Sequence, residues 1–397
     1  KSYSSTNLIP ETIDLAIVSV SASRVPLAIK DCVKKKIKGA AIVSAGFRET
    51  GEPGAQAEQQ ILEIAREGDL RIIGPNSAGI VNTSVDMYAT IEGRPAKGST
   101  AFISQSGAFG GAMFQLSEDL CLGFSKFVSM GNMCDLTLSD FLEYLVGDTE
   151  TEVIATYVEG IRDGRRFVSA AKMVSSIKPI IAYKVGRTEA GQRAVATHTG
   201  SLAGSDAIYD GAFKQARVIR VSNIEDLLDH AFVLTRQPLP KVDSVGILTD
   251  AGGPGVAAAD ACNLCELSVP KLSEHTQIKL RKILPAFAST TNPIDMTFNP
   301  DPNIYGACLD ELIDEDSIGG IIVTLTSHVA VQEELANIIV QASVAKKKPI
   351  LVSWTAGKKV DRAREILRKS GIPVYLVPEK AARAMACLVA YAKFKHG

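Results

Sequence analysis

The sequence lacks the surplus of positive charge and the long apolar runs that mark two large classes of protein. Lysine and arginine total 43 against 44 aspartates and glutamates, so the formal net charge of -1 gives no attraction to a nucleic acid. No apolar run reaches the roughly 18 to 20 residues of a membrane helix, and no signal peptide opens the chain. These absences exclude a nucleic-acid partner and a membrane partner, and we expect a cytoplasmic protein.

Cysteine is scarce as well, and its spacing does not support a disulfide framework. The seven cysteines are scattered and odd in number, and Cys262 and Cys265 form the only C-x-x-C pair. A closed zinc site needs about four ligands, and neither a second pair nor a nearby histidine completes one. We interpret both residues as reduced cysteines of a helix, with a metal or redox role as the alternative, and we predict no metal site.

Short β-branched runs alternate with amphipathic helical stretches, a pattern typical of α/β folds with parallel sheets. Because a core usually divides beyond about 250 residues, 397 residues predict more than one domain. Junctions rich in proline, glycine or lysine lie at Gly93 to Gly98 and at Pro238 to Lys241. The predicted domains are residues 1–95, 96–240 and 241–397. Strands are predicted at 14–20, 39–46, 71–76, 100–104, 124–129, 153–158, 179–184, 244–249, 319–325, 349–354 and 373–377.

The start of the chain lacks the unit with which a nucleotide-binding fold normally opens. Lys1 is not an initiator methionine, and the first clear strand begins only near Asp14. A strand that runs into a glycine-rich turn at a helix N-terminus is missing before it. We therefore expect the first domain to be incomplete at its start.

Two glycine-rich turns follow predicted strands, and each precedes a helical stretch. The first is FISQSGAFGG at 102–111, where Ser104, Gln105, Ser106 and Gly107 leave backbone N–H groups exposed at the positive end of a helix. The second is TDAGGPG at 249–255, which includes Gly252 and Gly253. Both turns are predicted to bind phosphate; the alternative is that their glycines serve tight packing alone. Neither matches a P-loop, and a G-x-G-x-x-G dinucleotide fingerprint is also missing.

One histidine stands out from the five in the chain. His198 lies in a stretch of small and polar residues, 186–204, that follows a strand and that we predict to be a long ordered loop. An imidazole suits covalent phosphoryl transfer, because one nitrogen attacks while the other is held by an acceptor. Glu159 closes another strand and is the candidate acceptor. The alternatives are a histidine hydrogen-bonded within its loop and a glutamate that caps the turn GIRDG at 160–164. The other histidines, His230, His275, His328 and His396, are interpreted as ordinary core or surface residues.

Six segments in the same order resemble the ADP-forming acetyl-CoA synthetases, which belong to the nucleoside-diphosphate-forming acyl-CoA synthetases of the succinyl-CoA synthetase superfamily. The segments are GPNSAGI (74–80), FISQSGAFGG (102–111), GFSKFVSMGNMCDL (123–136), YVEGIRDGRRF (157–167), HTGSLAGSD (198–206) and TDAGGPGV (249–256). The resemblance implies a Rossmann-like CoA-binding domain, N-terminally incomplete, followed by two flavodoxin-like parallel-sheet ligase domains.

The reaction that this resemblance implies runs from acyl-CoA, phosphate and ADP to a carboxylic acid, CoA and ATP. An acyl phosphate forms first, and its phosphoryl group passes to His198, which Glu159 supports, and then to ADP. Mg2+ would accompany ADP and ATP, and an ATP-grasp β subunit or C-terminal domain would bind them, in a hetero-oligomer or a fused homodimer. CoA contacts are implied at Val20, Ser21, Ala22, Ala45, Gly46, Phe47, Pro75 and Asn76.

Two other functions compete with this interpretation. One is a regulatory domain of the same fold, as found in protein lysine acetyltransferases, which binds acyl-CoA without phosphoryl transfer. Such domains often lose the histidine, so His198 within an intact HTGS argues against it. The other is a Rossmann-like dehydrogenase, for which the nicotinamide fingerprint and a catalytic acid-base pair are both missing from the sequence.

Overall fold

The computed structural model describes residues 1–199, 204–297, 301–326, 331–345 and 347–396, without the side chains of 197–199 and 396. The chain divides into two compact units, Lys1–Leu228 and Asp229–Gly397. Within the described residues, no helix combines the length and apolar character needed to cross a membrane.

Strands and helices alternate through most of both units. The strands of the described residues are β1 Leu15–Val18, β2 Gly39–Ile42, β3 Arg71–Ile73, β4 Gly79–Asn82, β5 Met87–Thr90, β6 Lys97–Ser104, β7 Phe124–Ser129, β8 Val153–Val158, β9 Ile180–Lys184, β10 Ile219–Val221, β11 Val245–Thr249, β12 Ile294–Asp295, β13 Gly320–Leu325, β14 Ile350–Trp354 and β15 Val374–Tyr375. The α-helices are α1 Val25–Lys34, α2 Glu52–Arg66, α3 Gly107–Asp119, α4 Leu138–Leu145, α5 Gly164–Ser175, α6 Glu189–Thr199, α7 Asp206–Gln215, α8 Ile224–Arg236, α9 Gly252–Leu264, α10 Glu274–Ile283, α11 Pro302–Asp314, α12 Gln332–Ser343, α13 Asp361–Lys369 and α14 Pro378–His396.

The first unit contains a small parallel sheet of order β1-β2-β3. Its strands are short apolar runs, and α1 and α2 cover them through buried residues such as Ile29 and Ile61. Since the three strands are parallel, the loops that follow them lie along one edge of the sheet. The predicted CoA contacts fall in those loops.

A seven-stranded sheet of order β10-β9-β8-β6-β7-β4-β5 forms the rest of the first unit. The strands β6 to β10 run parallel, whereas β4 pairs antiparallel with both β5 and β7. The hairpin β4–β5, at residues 79–90, therefore belongs to this sheet and not to the small one. The predicted boundary at residue 95 lies beyond the hairpin and stays a prediction.

The second unit is built on a parallel sheet of order β12-β11-β13-β14-β15. Successive residues of its strands face opposite cores: Ile321 and Val323 lie in one buried cluster, and Ile322 lies in the other. A sheet covered on both faces requires continuous apolar runs, which explains the sequence of β13 and β14.

The predicted α/β class with parallel sheets is confirmed, and each predicted strand coincides with an observed one. The sequence interpretation missed β4, β5, β10 and β12, which are only two to four residues long. Such short runs carry too few residues to show a period.

Candidate active site

The turn between β6 and α3 is built by the hydroxyl group that ends the strand. Ser104 Oγ donates to the carbonyl of Ser106 at 2.6 Å and accepts from its N–H at 3.1 Å. Gly107 then begins α3, and an added Cβ there would lie 2.8 Å from the Ala78 Cβ. The Ser106 side chain makes no capping bond to the first turn of α3. The N-terminus of α3 is thus built as a predicted anion site requires.

Gln105 joins this turn to the neighbouring strand β8. Its Oε1 accepts from the N–H groups of Glu159 and Gly160, the latter at 2.9 Å, and its Nε2 donates to the Gly160 carbonyl at 2.7 Å. The Gln105 N–H donates to the carbonyl of Tyr157 at 3.2 Å. Gln105 therefore fixes the backbone of Glu159 beside the start of α3, instead of presenting its own side chain to a ligand.

The turn between β11 and α9 repeats this construction. Thr249 Oγ1 donates to the Ala251 carbonyl at 2.6 Å and accepts from the Ala251 N–H at 3.2 Å. Asp250 Oδ2 accepts from the N–H and the hydroxyl of Thr326, at 2.8 and 2.9 Å. Thr326 follows β13 as Glu159 follows β8. The sequences SQSG and TDAG are thus two versions of one turn, and the second has a buried carboxylate where the first has an amide.

Gly252 and Gly253 are the first residues of α9. An added Cβ at Gly252 would meet the Asp295 carboxylate at 3.2 Å. Two acidic side chains, Asp250 and Asp295, therefore lie close to this helix N-terminus. Negative charge there opposes the binding of a second anion.

Glu159 lies at the end of β8 with only 5% of its surface exposed. Burial, and then the charge of Glu159, raises the pKa of the Tyr157 hydroxyl above its ordinary value. The Tyr157 ring stacks on Phe109 of α3, with centroids 4.4 Å apart. The turn that follows β8 is capped by Asp163, which accepts from the Arg166 N–H at 2.9 Å. Asp163 thus caps the start of the helix that follows this turn.

A cleft of about 500 Å³ brings the first turn and Glu159 together. Its walls come from the start of α3, the ends of β8 and β9, and α6. The lining residues are Ser106, Phe109, Tyr157, Glu159, Val185, Gly186, Gly191, Ala194 and Val195. The predicted neighbourhood of Ser106 and Glu159 is therefore present in the described residues.

His198 lies in the last turn of α6, and its side chain is outside the described residues. The predicted loop at 186–204 is wrong for residues 189–199, which are helical. Small residues suggested a loop, but alanine has the highest helix propensity, and Ala190, Ala194 and Ala196 stand in this segment. The helix packs by Val195 onto Gly186, and it lies against the 3-10 turn Arg48–Thr50 of the small sheet.

Lys184 is a polar residue of this site that the sequence interpretation missed. It ends β9, is 1% exposed, and lies with its ammonium 4.3 Å above the Tyr209 ring of α7. A lysine that closes the apolar run IIAYK was the available signal, since charged residues are almost never fully buried without a partner.

The predicted CoA residues lie in the loops after β1, β2 and β3. Ser44 joins two of these loops, because its hydroxyl accepts from the Val20 N–H at 3.1 Å and its carbonyl accepts from the Asn76 N–H at 3.0 Å. Gly46 has a φ of 102°, and an added Cβ would lie 3.1 Å from the Ala22 Cβ. The structure thus brings Val20, Ser21, Ala22, Ala45, Gly46, Pro75 and Asn76 to one edge of the sheet.

Phe47 differs from the other predicted CoA residues. The residue is fully buried in the core of the small sheet, so its ring is not presented to a ligand at this edge. The N–H groups of Gly46 and Phe47 donate to one oxygen of Glu49, at 2.7 and 3.1 Å. Asn132 donates to the other Glu49 oxygen at 2.6 Å and so ties this loop to the turn after β7.

The C-x-x-C pair lies at the end of α9. Cys262 is buried, and this burial, followed by the neighbouring Cys265, raises the pKa of its thiol to about 12. In the described part of the chain, no three side chains of His, Cys, Asp or Glu are grouped to hold a metal ion.

Three family models match the chain in succession. The CoA binding domain matches residues 1–83, the succinyl-CoA ligase like flavodoxin domain matches 97–234, and the Ligase-CoA domain matches 245–396. The chain therefore has the domain composition of a CoA ligase.

Comparison with curated relatives shows to which kind of CoA ligase the chain is similar. The chain is 43% identical over 398 residues to the alpha subunit of ADP-forming acetate–CoA ligase II of Pyrococcus furiosus, covering 99% of itself and 87% of that protein. It is 40% identical to ADP-forming acetate–CoA ligase I of Archaeoglobus fulgidus but spans only 56% of that protein's length. The chain belongs to the ADP-forming acetate–CoA ligase family.

One solved structure has the same fold over the whole length of this chain. The dinucleotide forming acetyl-coenzyme A synthetase 1 of Candidatus Korarchaeum cryptofilum, in complex with phosphate and ADP, gives a TM-score of 0.94 at 35% identity. The match covers 100% of this chain and 86% of that one.

Proposed function

We propose that this chain is the subunit of a nucleoside-diphosphate-forming acyl-CoA synthetase that makes the acyl phosphate and carries its phosphoryl group on His198. Phosphate attacks the acyl-CoA thioester, which releases CoA and leaves an acyl phosphate. The imidazole of His198 then takes the phosphoryl group, releasing the carboxylate, and passes it to ADP. The observation that carries this proposal is the single cleft shared by the N-terminus of α3, Glu159 and α6.

The N-terminus of α3 supplies the phosphate site. Ser106 lines the cleft, and the N–H groups of the first helical turn lack partners within the helix. They stabilise the negative charge that phosphate and the transferred phosphoryl group bring. The neutral Gln105 fixes this turn without adding negative charge.

Glu159 is the proposed support of the imidazole. A carboxylate that accepts from one ring nitrogen fixes the tautomer and stabilises the positive charge that the phosphorylated ring gains. Gln105 accepts from the Glu159 N–H and so fixes its backbone before a substrate binds.

The position of His198 in the sequence fits this role. Ala194 and Val195 of α6 line the cleft, and His198 follows them by four and three residues. Residues with these separations share one face of a helix. The same helix lies against the 3-10 turn after Phe47, beside the proposed CoA loops.

The second turn, with Gly252 and Gly253, stays a predicted phosphate site of the second unit, although the nearby Asp250 and Asp295 carboxylates oppose an anion there. CoA is proposed to bind at the edge formed by the loops of Val20, Ser21, Ala22, Ala45, Gly46, Phe47, Pro75 and Asn76, with the buried Phe47 shaping its loop. ADP, ATP and Mg2+ are assigned to an ATP-grasp partner subunit or domain, in a hetero-oligomer or a fused homodimer. A cytoplasmic location stays a prediction from the sequence.

ATP formation from acetyl-CoA, phosphate and ADP tests the proposal in the chain combined with its ATP-grasp partner. His198→Asn removes the nucleophile, so we expect ATP formation to fall by at least about 1,000-fold. His275→Asn is the matched control, because His275 is exposed on α10 and should leave the rate unchanged. Unchanged turnover in His198→Asn would overturn the proposal, and acyl-CoA binding without any ATP formation in the wild type would favour the regulatory alternative.

A further inference from the structure

A fully buried lysine ends the strand beside Glu159. Lys184 closes β9, and β9 pairs with β8 so that Lys184 lies opposite Val158, the residue before Glu159. Only 1% of the lysine is exposed. Because burying an ammonium costs free energy, an apolar side chain would be the more stable choice at this position.

The ammonium of Lys184 connects three elements. Nζ donates to the carbonyl of Val185 and lies 4.3 Å above the ring of Tyr209, which belongs to α7. The Tyr209 hydroxyl accepts from the N–H of Ile161 at 3.2 Å, two residues after Glu159. Lys184 and Tyr209 thus join the end of β9, the first turns of α7 and the segment that follows β8.

Three charged groups influence the pKa of this ammonium. They are Glu159 after β8, Asp206 at the start of α7, and Arg220 in β10. Burial is the largest influence and, with Arg220 opposing the two carboxylates, it lowers the pKa of Lys184 to about 8. The lysine therefore changes charge close to neutral pH.

We propose that Lys184 is a positioning residue for phosphoryl transfer, whose ammonium holds α7 against the strand ends that carry Glu159 and places a positive charge near that carboxylate. The inference rests on the proposed function of Glu159 and His198. It explains why a charged side chain stands where packing alone favours an apolar one. Lys184 itself does not touch the reacting phosphate.

The same strand offers a matched control. Lys178 is also buried, but it precedes β9 at the opposite end of the sheet, where it donates to the carbonyls of Leu145, at 2.6 Å, and Asp148. Neither of these two carbonyls belongs to a residue that lines the cleft. A purely structural role for buried lysines predicts similar effects at both positions, whereas our inference predicts different ones.

The test measures phosphoenzyme formation from acetyl phosphate between pH 6 and 10, in the chain combined with its ATP-grasp partner. In the wild type the rate should fall above about pH 8, as the ammonium loses its proton. Lys184→Met should stay folded, with a melting temperature equal to the wild type or higher, but form phosphoenzyme at least about 10-fold more slowly and without that alkaline fall. Lys184→Arg should recover part of the rate and keep it up to pH 10. Lys178→Met should melt at a lower temperature and keep the wild-type rate and pH profile.

Two results separate the possible failures. A Lys184→Met variant with the wild-type rate and the same alkaline fall overturns the inference and leaves the proposed function intact. A wild type that forms no phosphoenzyme overturns the proposed function, and the inference with it. If Lys184→Met does not fold, Tyr209→Leu, which removes the ring beneath the ammonium, should slow the reaction in the same way, and an unchanged rate there counts against the inference.

Discussion

The turns at 104–107 and 249–252 share one backbone design and differ in charge. In both, a hydroxyl group at the strand end bonds the residue two positions on, and the next side chain reaches the loop after the neighbouring strand. The first turn uses the neutral Gln105 and fixes Glu159, which faces an open cleft. The second uses the buried Asp250 and fixes Thr326. The comparison teaches that the hydroxyl and the small residues build the helix start, whereas the cross-strand partner decides whether chemistry can take place there.

Among changes to the two turns and their partners, the largest effect is expected from Glu159, the residue that distinguishes the first turn. Glu159→Gln keeps the backbone bonds to Gln105 but removes the charge that supports the phosphorylated imidazole. We expect phosphoenzyme formation to fall roughly 10- to 100-fold, which rapid-quench labelling measures.

Glu152→Gln is the control, because this exposed glutamate lies just before the same strand. Among the side chains that the structure describes, only Ser99 donates a hydrogen bond to it, at 2.7 Å. Equal losses in the two variants would mean that the position of Glu159 has no special role.

Gln105→Glu gives the first turn a carboxylate at the position where the second turn has Asp250. A glutamate cannot donate to the Gly160 carbonyl, and its charge lies close to the N-terminus of α3. A charge at a helix terminus is worth up to about 2 kcal/mol, so we expect the KM for phosphate to rise by roughly 10-fold. Initial rates at varied phosphate measure this change, and a KM within twofold of the wild type would show that charge at this turn does not matter.

Two glycine substitutions compare the packing of the two helix starts. Gly107→Ala forces a methyl group to within 2.8 Å of the buried Ala78 Cβ, whereas Gly252→Ala meets only the end of the Asp295 side chain, at 3.2 Å. We expect Gly107→Ala to cost about 1 to 3 kcal/mol of unfolding free energy and Gly252→Ala less than about 1 kcal/mol. Urea denaturation followed by circular dichroism measures both losses of unfolding free energy. A larger loss in Gly252→Ala than in Gly107→Ala would contradict the prediction.

A small effect is also expected from the reciprocal change, Asp250→Asn. An asparagine can still accept from both Thr326 donors, but bonds to a charged acceptor are stronger, so the unfolding free energy should fall by only about 1 kcal/mol. Removing the charge near α9 should leave the KM for phosphate unchanged or slightly lower. A large rise in this KM would mean that the carboxylate, and not the helix start, is the functional group of the second turn.

Both turns could be predicted from the sequence because each joins an apolar strand to a helix through small residues. Glu159 could be found for a similar reason, since it closes a recognisable strand. The partners of Gln105 and Asp250 could not, because they lie on neighbouring strands more than fifty residues away. Their identity depends on strand order, which periodicity alone does not give.

Other residues show where local reasoning failed. The stretch 189–199 was predicted as a loop from its small residues, yet its alanines favour the helix that the structure shows. The resemblance implies a CoA contact at Phe47, which stays a prediction, but the sequence did not show that its ring belongs to the core. Lys184 was overlooked because a single charged residue after an apolar run usually marks the end of the strand. Only its burial in the structure shows that this lysine is unusual.

Locating the phosphoryl group tests the central claim most directly. The chain is incubated with acetyl-CoA, labelled phosphate and its ATP-grasp partner, and the labelled peptide is mapped after proteolysis in base. The account predicts one acid-labile, base-stable label on His198, absent from His198→Asn and reduced in Glu159→Gln. A label on any other residue, or an active enzyme that never becomes labelled, would contradict it.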